Sequence, residues 1–174
     1  TDFLCAVCMI IVLITSCTSK TLVITQSGVA NIRLGETTLA DIKRAYPFAR
    51  TRKTVKHVLF RAGDRVEGKV FQHASLRVAR GITCHFTAPT IRSTTTVDEI
   101  VLSHPSGGTT DKGIAIGWST FAEVDQLYGL VNSDSVDGQW VKDYETIVFY
   151  STDRFVKPAN KDQHVVSAIK IRQR

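Results

Sequence analysis

The chain has 174 residues, 43% of them hydrophobic, with 22 Lys and Arg against 16 Asp and Glu for a formal net charge of +6. That length suits one domain with a full hydrophobic core, or two small repeats that share one. Of the four cysteines only Cys84 lies beyond the first 17 residues, so an intramolecular disulfide of the domain is excluded and its stability must come from packing.

Phe3 to Ile14 is a charge-free run of 12 residues. It is shorter than the roughly 20 residues of a bilayer-spanning helix and has the length of a signal-peptide core. The chain opens on Thr1-Asp2, without a start methionine and basic stretch, which reads as a truncated N-terminus. Ile14-Thr15-Ser16-Cys17 closes the apolar run and looks like a bacterial lipobox, a small-residue motif ending in an obligatory cysteine. The likeness implies a diacylglyceryl group on the Cys17 thiol, cleavage between Ser16 and Cys17, and acylation of the new amine. Each buried methylene contributes about 0.8 kcal/mol, so more than one acyl chain gives stable anchoring. Thr18, where an aspartate would retain the protein, favours the outer membrane. The competing reading is a buried strand or helix over residues 3–14 with an incidental Cys17. The expected organisation is a signal peptide at 1–16, a lipidated linker at 17–27, and a single domain at 28–174.

That domain shows an internal repeat. Ile32-Arg33-Leu34-Gly35-Glu36-Thr37-Thr38-Leu39-Ala40-Asp41-Ile42 recurs 82 positions later as Ile114-Ala115-Ile116-Gly117-Trp118-Ser119-Thr120-Phe121-Ala122-Glu123-Val124. Each copy predicts a short strand, a turn at the glycine, and a helix near Thr38 to Tyr46 or Thr120 to Tyr128. Thr38 with Asp41, and Thr120 with Glu123, have capping-box spacing, although Thr37 is an equal contender for the first cap. Pro47 and Gly129 end the helices. Strands are predicted over Val70 to Val78, Ile82 to Phe86, Glu99 to His104, Thr146 to Ser151 and Val165 to Ile171. Pro105 to Asp111 reads as the seam between repeats of about 28–108 and 109–174. The expected fold class is α+β: a duplicated strand–helix–strands unit forming antiparallel sheet with helices packed on one face.

Charge is uneven along the chain. Cys17 to Val97 holds 14 Lys and Arg against four Asp and Glu, while Asp98 to Arg174 holds eight against 11. Arg50, Arg52, Lys53 and Lys56 form the densest basic cluster. It reads either as a surface for anionic partners, at about 1 kcal/mol per cation near an anionic membrane, or as solvated charge guarding a strand edge. Nucleic acid is not an expected partner of an exported lipoprotein.

No catalytic set stands out. Cys84 and His85 are neighbours on one strand and point to opposite faces, so they cannot pair as nucleophile and base. The histidines at 57, 73, 85, 104 and 164 lack zinc-site spacing; His73 and His85 can meet across neighbouring strands, but two ligands make no complete site. No metal and no cofactor are expected. Asn132 to Trp140 reads as a polar, acidic loop in which Trp140 either anchors a partner or folds back on the core. Trp118 stands where the first repeat has Glu36, and either covers a junction or faces a partner.

Ile100-Val101-Leu102, Lys112 to Gly117 leading into Ser119-Thr120-Phe121, and Val166 to Arg172 together resemble the RpoE-regulated lipoproteins of Gram-negative bacteria (the YfeY-like family), with the lipobox and Gly28-Val29 fitting the same layout. The resemblance is good in the second half, loose between Arg50 and Thr96, and implies location rather than mechanism. The glycine–hydroxyl–helix unit also resembles that of BamE-type lipoproteins and tandem-repeat β-lactamase-inhibitor proteins. The resulting expectation is an outer-membrane-anchored, periplasm-facing, non-catalytic lipoprotein, envelope-stress related, that binds a protein or an envelope component such as anionic lipid. The alternative is a proteinaceous inhibitor of a hydrolase using its sheet face and exposed aromatics.

Overall fold

A computed structural model provides the structure and describes residues 22–62, 65–152 and 163–173. Ser16, Cys17 and the proposed signal peptide lie outside the described residues, as do the rest of the linker up to residue 21 and the side chain of Lys56.

Among the described residues there are two helices, α1 (Leu39–Ala45) and α2 (Phe121–Tyr128), and twelve strands. The strands are β1 (Val23–Thr25), β2 (Gly28–Val29), β3 (Ile32–Arg33), β4 (Arg50–Ala62), β5 (Arg65–Ala79), β6 (Ile82–Ala88), β7 (Glu99–Ser103), β8 (Thr109–Thr110), β9 (Asp134–Val136), β10 (Gln139–Tyr144), β11 (Ile147–Thr152) and β12 (Ala168–Arg172). They form an antiparallel eight-stranded sheet, β4-β5-β6-β7-β12-β11-β10-β9, and a four-stranded sheet, β3-β2-β1-β8, in which β1 and β8 run parallel.

The α+β expectation, a duplicated strand–helix–strands unit with helices packed on one face of an antiparallel sheet, is therefore corrected. The described residues are mostly β, and among them there are two sheets and no helical layer. The physical reason is length. Helices of seven and eight residues make about two turns, roughly 10–12 Å at 1.5 Å per residue, and cannot cover eight strands. Ile24, Val29 and Ile32 of the small sheet supply part of the core alongside Leu39, Ile42, Phe121 and Val124 of the helices. The seam at Pro105 to Asp111 contains β8, which ties the second half of the chain to β1.

The large sheet has a dry face and a wet face because its registers keep like with like. Leu76, Cys84, Ile100, Ile171 and Ile147 are successive cross-strand partners over five strands, and all are buried. On the opposite face the neighbouring row runs Ser75, His85, Glu99, Arg172. Side chains alternate between the faces of a strand, so this second row turns away from the core.

The strand order is palindromic about the β7–β12 pair, and the backbone bonding follows it. Gly35 N donates to Val97 O at 2.8 Å, and Gly117 N to Val166 O at 2.8 Å. Val97 N donates to Thr37 O, and Val166 N to Ser119 O; Leu39 N donates to Thr95 O, and Phe121 N to His164 O. The paired hydroxyls divide their work. Thr37 and Ser119 accept from the amides of Arg33 and Ala115, closing the turn. Thr38 and Thr120 cap the helices, each in a reciprocal capping box with Asp41 or Glu123. Gly35 and Gly117 take φ of 73° and 85°, a region that costs side-chain-bearing residues about 1–2 kcal/mol.

Candidate functional site

The basic cluster lies on β4, the edge strand of the large sheet. Every residue from Arg50 to Val55 is exposed. Arg50 and Arg77 are direct cross-strand partners, as are Arg52 and Ser75, which puts three guanidinium groups on the wet face of adjoining strands. Like charges placed opposite each other repel, so this arrangement disfavours the isolated fold and favours an anion. The ion pairs among the described residues are Arg44–Asp41, Lys142–Asp125, Lys170–Glu99 and Arg172–Asp143, and none of them neutralises this cluster. Lys53 lies one residue along, on the other side of the edge, and the Lys56 backbone continues the strand opposite Phe71.

Phe48 stands between α1 and β4 with 95% of its surface exposed. Lys43 and Arg44, in the last turn of α1, precede it, and Arg50 follows. A fully exposed phenyl ring flanked in sequence by Lys43, Arg44 and Arg50 is the composition of a surface that meets an anionic, partly apolar partner. A shallow groove of about 260 Å³, lined by Lys53, Thr54, Val55, Gln72, His73 and Ile91, continues from the edge towards the histidines.

The two tryptophans separate. Trp118 follows Gly117 at the approach to α2 and is 85% exposed. Trp140 is half-buried, packs against the core, and lies with its ring centroid 5.4 Å from that of His164. The segment read as a loop is a hairpin. β9 and β10 meet across Asp137-Gly138, whose φ values of 50° and 73° suit a tight two-residue turn. Trp140 thus sits on a strand, and pairing with Ser135 and Ser151 fixes its direction.

Cys84 is buried, and loss of solvent pushes its thiol up to about 12. It faces the core while His85 faces the wet side. His73 and His85 do meet: His85 Nδ1 stands 3.1 Å from His73 Nε2, with ring centroids 5.2 Å apart. Among the described residues no group of three or more His, Cys, Asp or Glu side chains is placed to hold a metal ion.

One polar network escaped sequence reading. Lys142, only 3% exposed, donates to both oxygens of Asp125 at 2.7 and 2.6 Å and to Val131 O at 2.9 Å. Tyr144 donates to the same carboxylate at 3.0 Å, and burial together with Asp125 holds its phenol well above the usual range. All three ammonium protons have acceptors, so the group locks α2 to β10 and has no spare valence for chemistry.

The chain matches no protein-family model, no curated protein and no solved structure. No helix among the described residues is long and apolar enough to cross a membrane.

Proposed function

We propose that the protein is an outer-membrane-anchored periplasmic lipoprotein, non-catalytic, that binds an anionic envelope component through the basic edge of its first unit. The observation that carries the binding is the exposed, un-neutralised set Arg50, Arg52, Lys53 and Arg77 beside the bare ring of Phe48. The lipobox at Ile14 to Cys17 supports the anchor, and the likeness to RpoE-regulated lipoproteins supports an envelope-stress setting. Tethering raises the local concentration of headgroups, so a surface of modest affinity becomes effective.

The test has two arms. Replacing Cys17 by serine removes acylation and membrane fractionation in cells; a Cys17→Ser chain that is processed and sediments with outer membrane as before rules the anchor out. Residues 18–174 bind vesicles containing an anionic phospholipid and release them as added salt shortens the screening length below about 8 Å. Equal binding to neutral vesicles defeats the surface reading.

Trp118 favours a second reading, in which the protein inhibits a hydrolase. A single aromatic 85% exposed at a rigid turn is a ready anchor for a protein partner. If a partner protein is captured from envelope extracts and lost on Trp118→Ala but kept on Arg52→Glu, this reading takes precedence.

A further inference from the structure

We infer, resting on the basic-edge reading above, that the β4–β5 ribbon docks on the interfacial layer of an anionic bilayer with Val55 and Val70 as its apolar contact. The apolar face of β5 outruns the core. Leu76, Ala74, Gln72 and Val70 share that face, since side chains alternate along a strand. Leu76 and Ala74 are wholly buried, Gln72 is exposed, and Val70 is 54% exposed. The Gln72 carboxamide oxygen accepts from Ile91 N at 2.9 Å, and Ile91 packs against the core, so Gln72 marks its rim. Beyond the rim the face carries Val70 and, on β4, Val55, which is 59% exposed. Val55 pairs with Gln72 and Val70 with His57, which makes the two valines diagonal neighbours within reach of each other.

Sheet pairing ends at the same place. β6 accompanies β5 from Gln72 onward, whereas from Lys56–Phe71 to Ala62–Arg65 β4 and β5 make seven successive pairs with no other described strand beside them. At about 3.3 Å per residue this ribbon is roughly 23 Å long. A two-stranded ribbon is marginal in water and gains from apolar cover on one face. A bilayer surface supplies such cover without using a strand edge. Lys53 shares the valine face two residues from Val55, and Arg50 and Arg52 lie exposed on the same edge strand. Cations beside apolar side chains suit an anionic interface, where headgroups meet the charge and the upper acyl region takes the methyl groups. The same cations oppose a second copy of this chain on that edge, because pairing β4 with β4 would set Arg and Lys against Arg and Lys.

The experiment uses the full chain in bicelles of phosphatidylcholine, with or without phosphatidylglycerol, carrying a lipid with a nitroxide on its acyl chain. Valine methyl signals are followed by nuclear magnetic resonance. Val136 and Val165, 53% and 42% exposed in the second unit, serve as internal controls. With phosphatidylglycerol present, the Val55 and Val70 signals lose about half their intensity or more while Val136 and Val165 keep theirs; in phosphatidylcholine alone the four behave alike. Val55→Thr/Val70→Thr, which keeps the charge and the β-branched shape, lowers the docked population about threefold or more at unchanged melting temperature. If the backbone signals of Arg50 to Lys53 respond to phosphatidylglycerol but Val55 and Val70 are broadened no more than the controls, the valine contact is overturned and the basic edge stands. If Arg50 to Lys53 do not respond either, both fall. A dimer in the absence of lipid that shields Val55 and Val70 also overturns the proposal, since a second copy then covers the face.

Discussion

The two units begin alike and end differently. Around each helix start the glycine, the two hydroxyls and the valine across from them make the same bonds, at Gly35, Thr37, Thr38 and Val97 and again at Gly117, Ser119, Thr120 and Val166. The outer strands diverge. In the first unit β4 and β5 run 13 and 15 residues, paired from Arg50–Arg77 to Ala62–Arg65, whereas β6 accompanies β5 only between Gln72 and Ala79. In the second unit β9 and β10 have three and six residues, and the cation of this region, Lys142, is turned inward on Asp125. The frame is thus held by local backbone bonding, and the strands farthest from the central β7–β12 pair are where the units differ in charge and length.

If that contrast is right, charge removal should be harmful in one unit and nearly silent in the other. Lys142→Ala strands the Asp125 carboxylate in a nearly dry site and should cost about 3–5 kcal/mol in urea denaturation. Lys53→Ala, on the exposed edge, should stay within about 0.5 kcal/mol.

The core offers a second contrast. Cys84 faces Ile100 across β6 and β7 where Phe149 faces Ile169 across β11 and β12, so the first unit has a titratable group at a place that is inert in the second. The folded state holds the thiol proton up to about pH 12, whereas the unfolded thiol releases it near pH 9. The unfolded state therefore binds fewer protons in that window, and stability falls as pH rises, by up to about 1.4 kcal/mol per pH unit from this group. Tyr144, also raised, adds to the slope from its own ordinary pKa upward. Alkaline denaturation of Cys84→Ala should show a shallower slope, and Tyr144→Phe a further reduction. Native Cys84 should resist thiol reagents at pH 8 and react on unfolding.

The shared frame makes matched predictions. Gly35→Ala and Gly117→Ala should each cost about 1–2 kcal/mol, since both positions have positive φ. An added Cβ at Gly117 meets only His104 Cδ2 at 3.8 Å, while at Gly35 it meets the flexible end of Gln173 at 2.8 Å. A much larger cost at Gly35 would show that Gln173 cannot yield. Thr38→Ala and Thr120→Ala should each cost about 1 kcal/mol, equal within error, as thermal melts would show.

Helix starts were legible in the sequence because a capping box is set by residues three apart, so Thr38 to Asp41 and Thr120 to Glu123 carry their own signal. Of the small sheet only β3, the short strand before Gly35, was legible; its expected counterpart at Ile114 to Ile116 forms only an isolated bridge to Thr109. β2 and β8 have two residues each, too few for any alternation, and β8 is specified by β1, far along the chain. Asp137-Gly138 is a hairpin signal with little support around it, because the strand before it is only three residues, Asp134, Ser135 and Val136, all exposed. The buried state of Lys142 depends on Asp125, 17 residues away on α2, which no local pattern encodes. The contact between His73 and His85 follows from the β5–β6 register and could be raised from sequence only as a pairing of adjacent strands. The basic cluster was visible as composition; that it lies exposed on the sheet edge beside Phe48 required the strand order.

The most direct test of the account compares the units by one charge each. Full-domain variants Arg52→Glu and Lys112→Glu change net charge equally, and both residues are exposed. Their affinity for vesicles containing an anionic phospholipid is measured at low salt against the wild type, with melting temperature as control. If the first unit carries the binding surface, Arg52→Glu weakens binding about tenfold or more, from about 1 kcal/mol per unit charge near the membrane, while Lys112→Glu stays close to the wild type. Equal losses in the two variants would mean that only net charge is read, and would contradict a binding surface confined to the first unit.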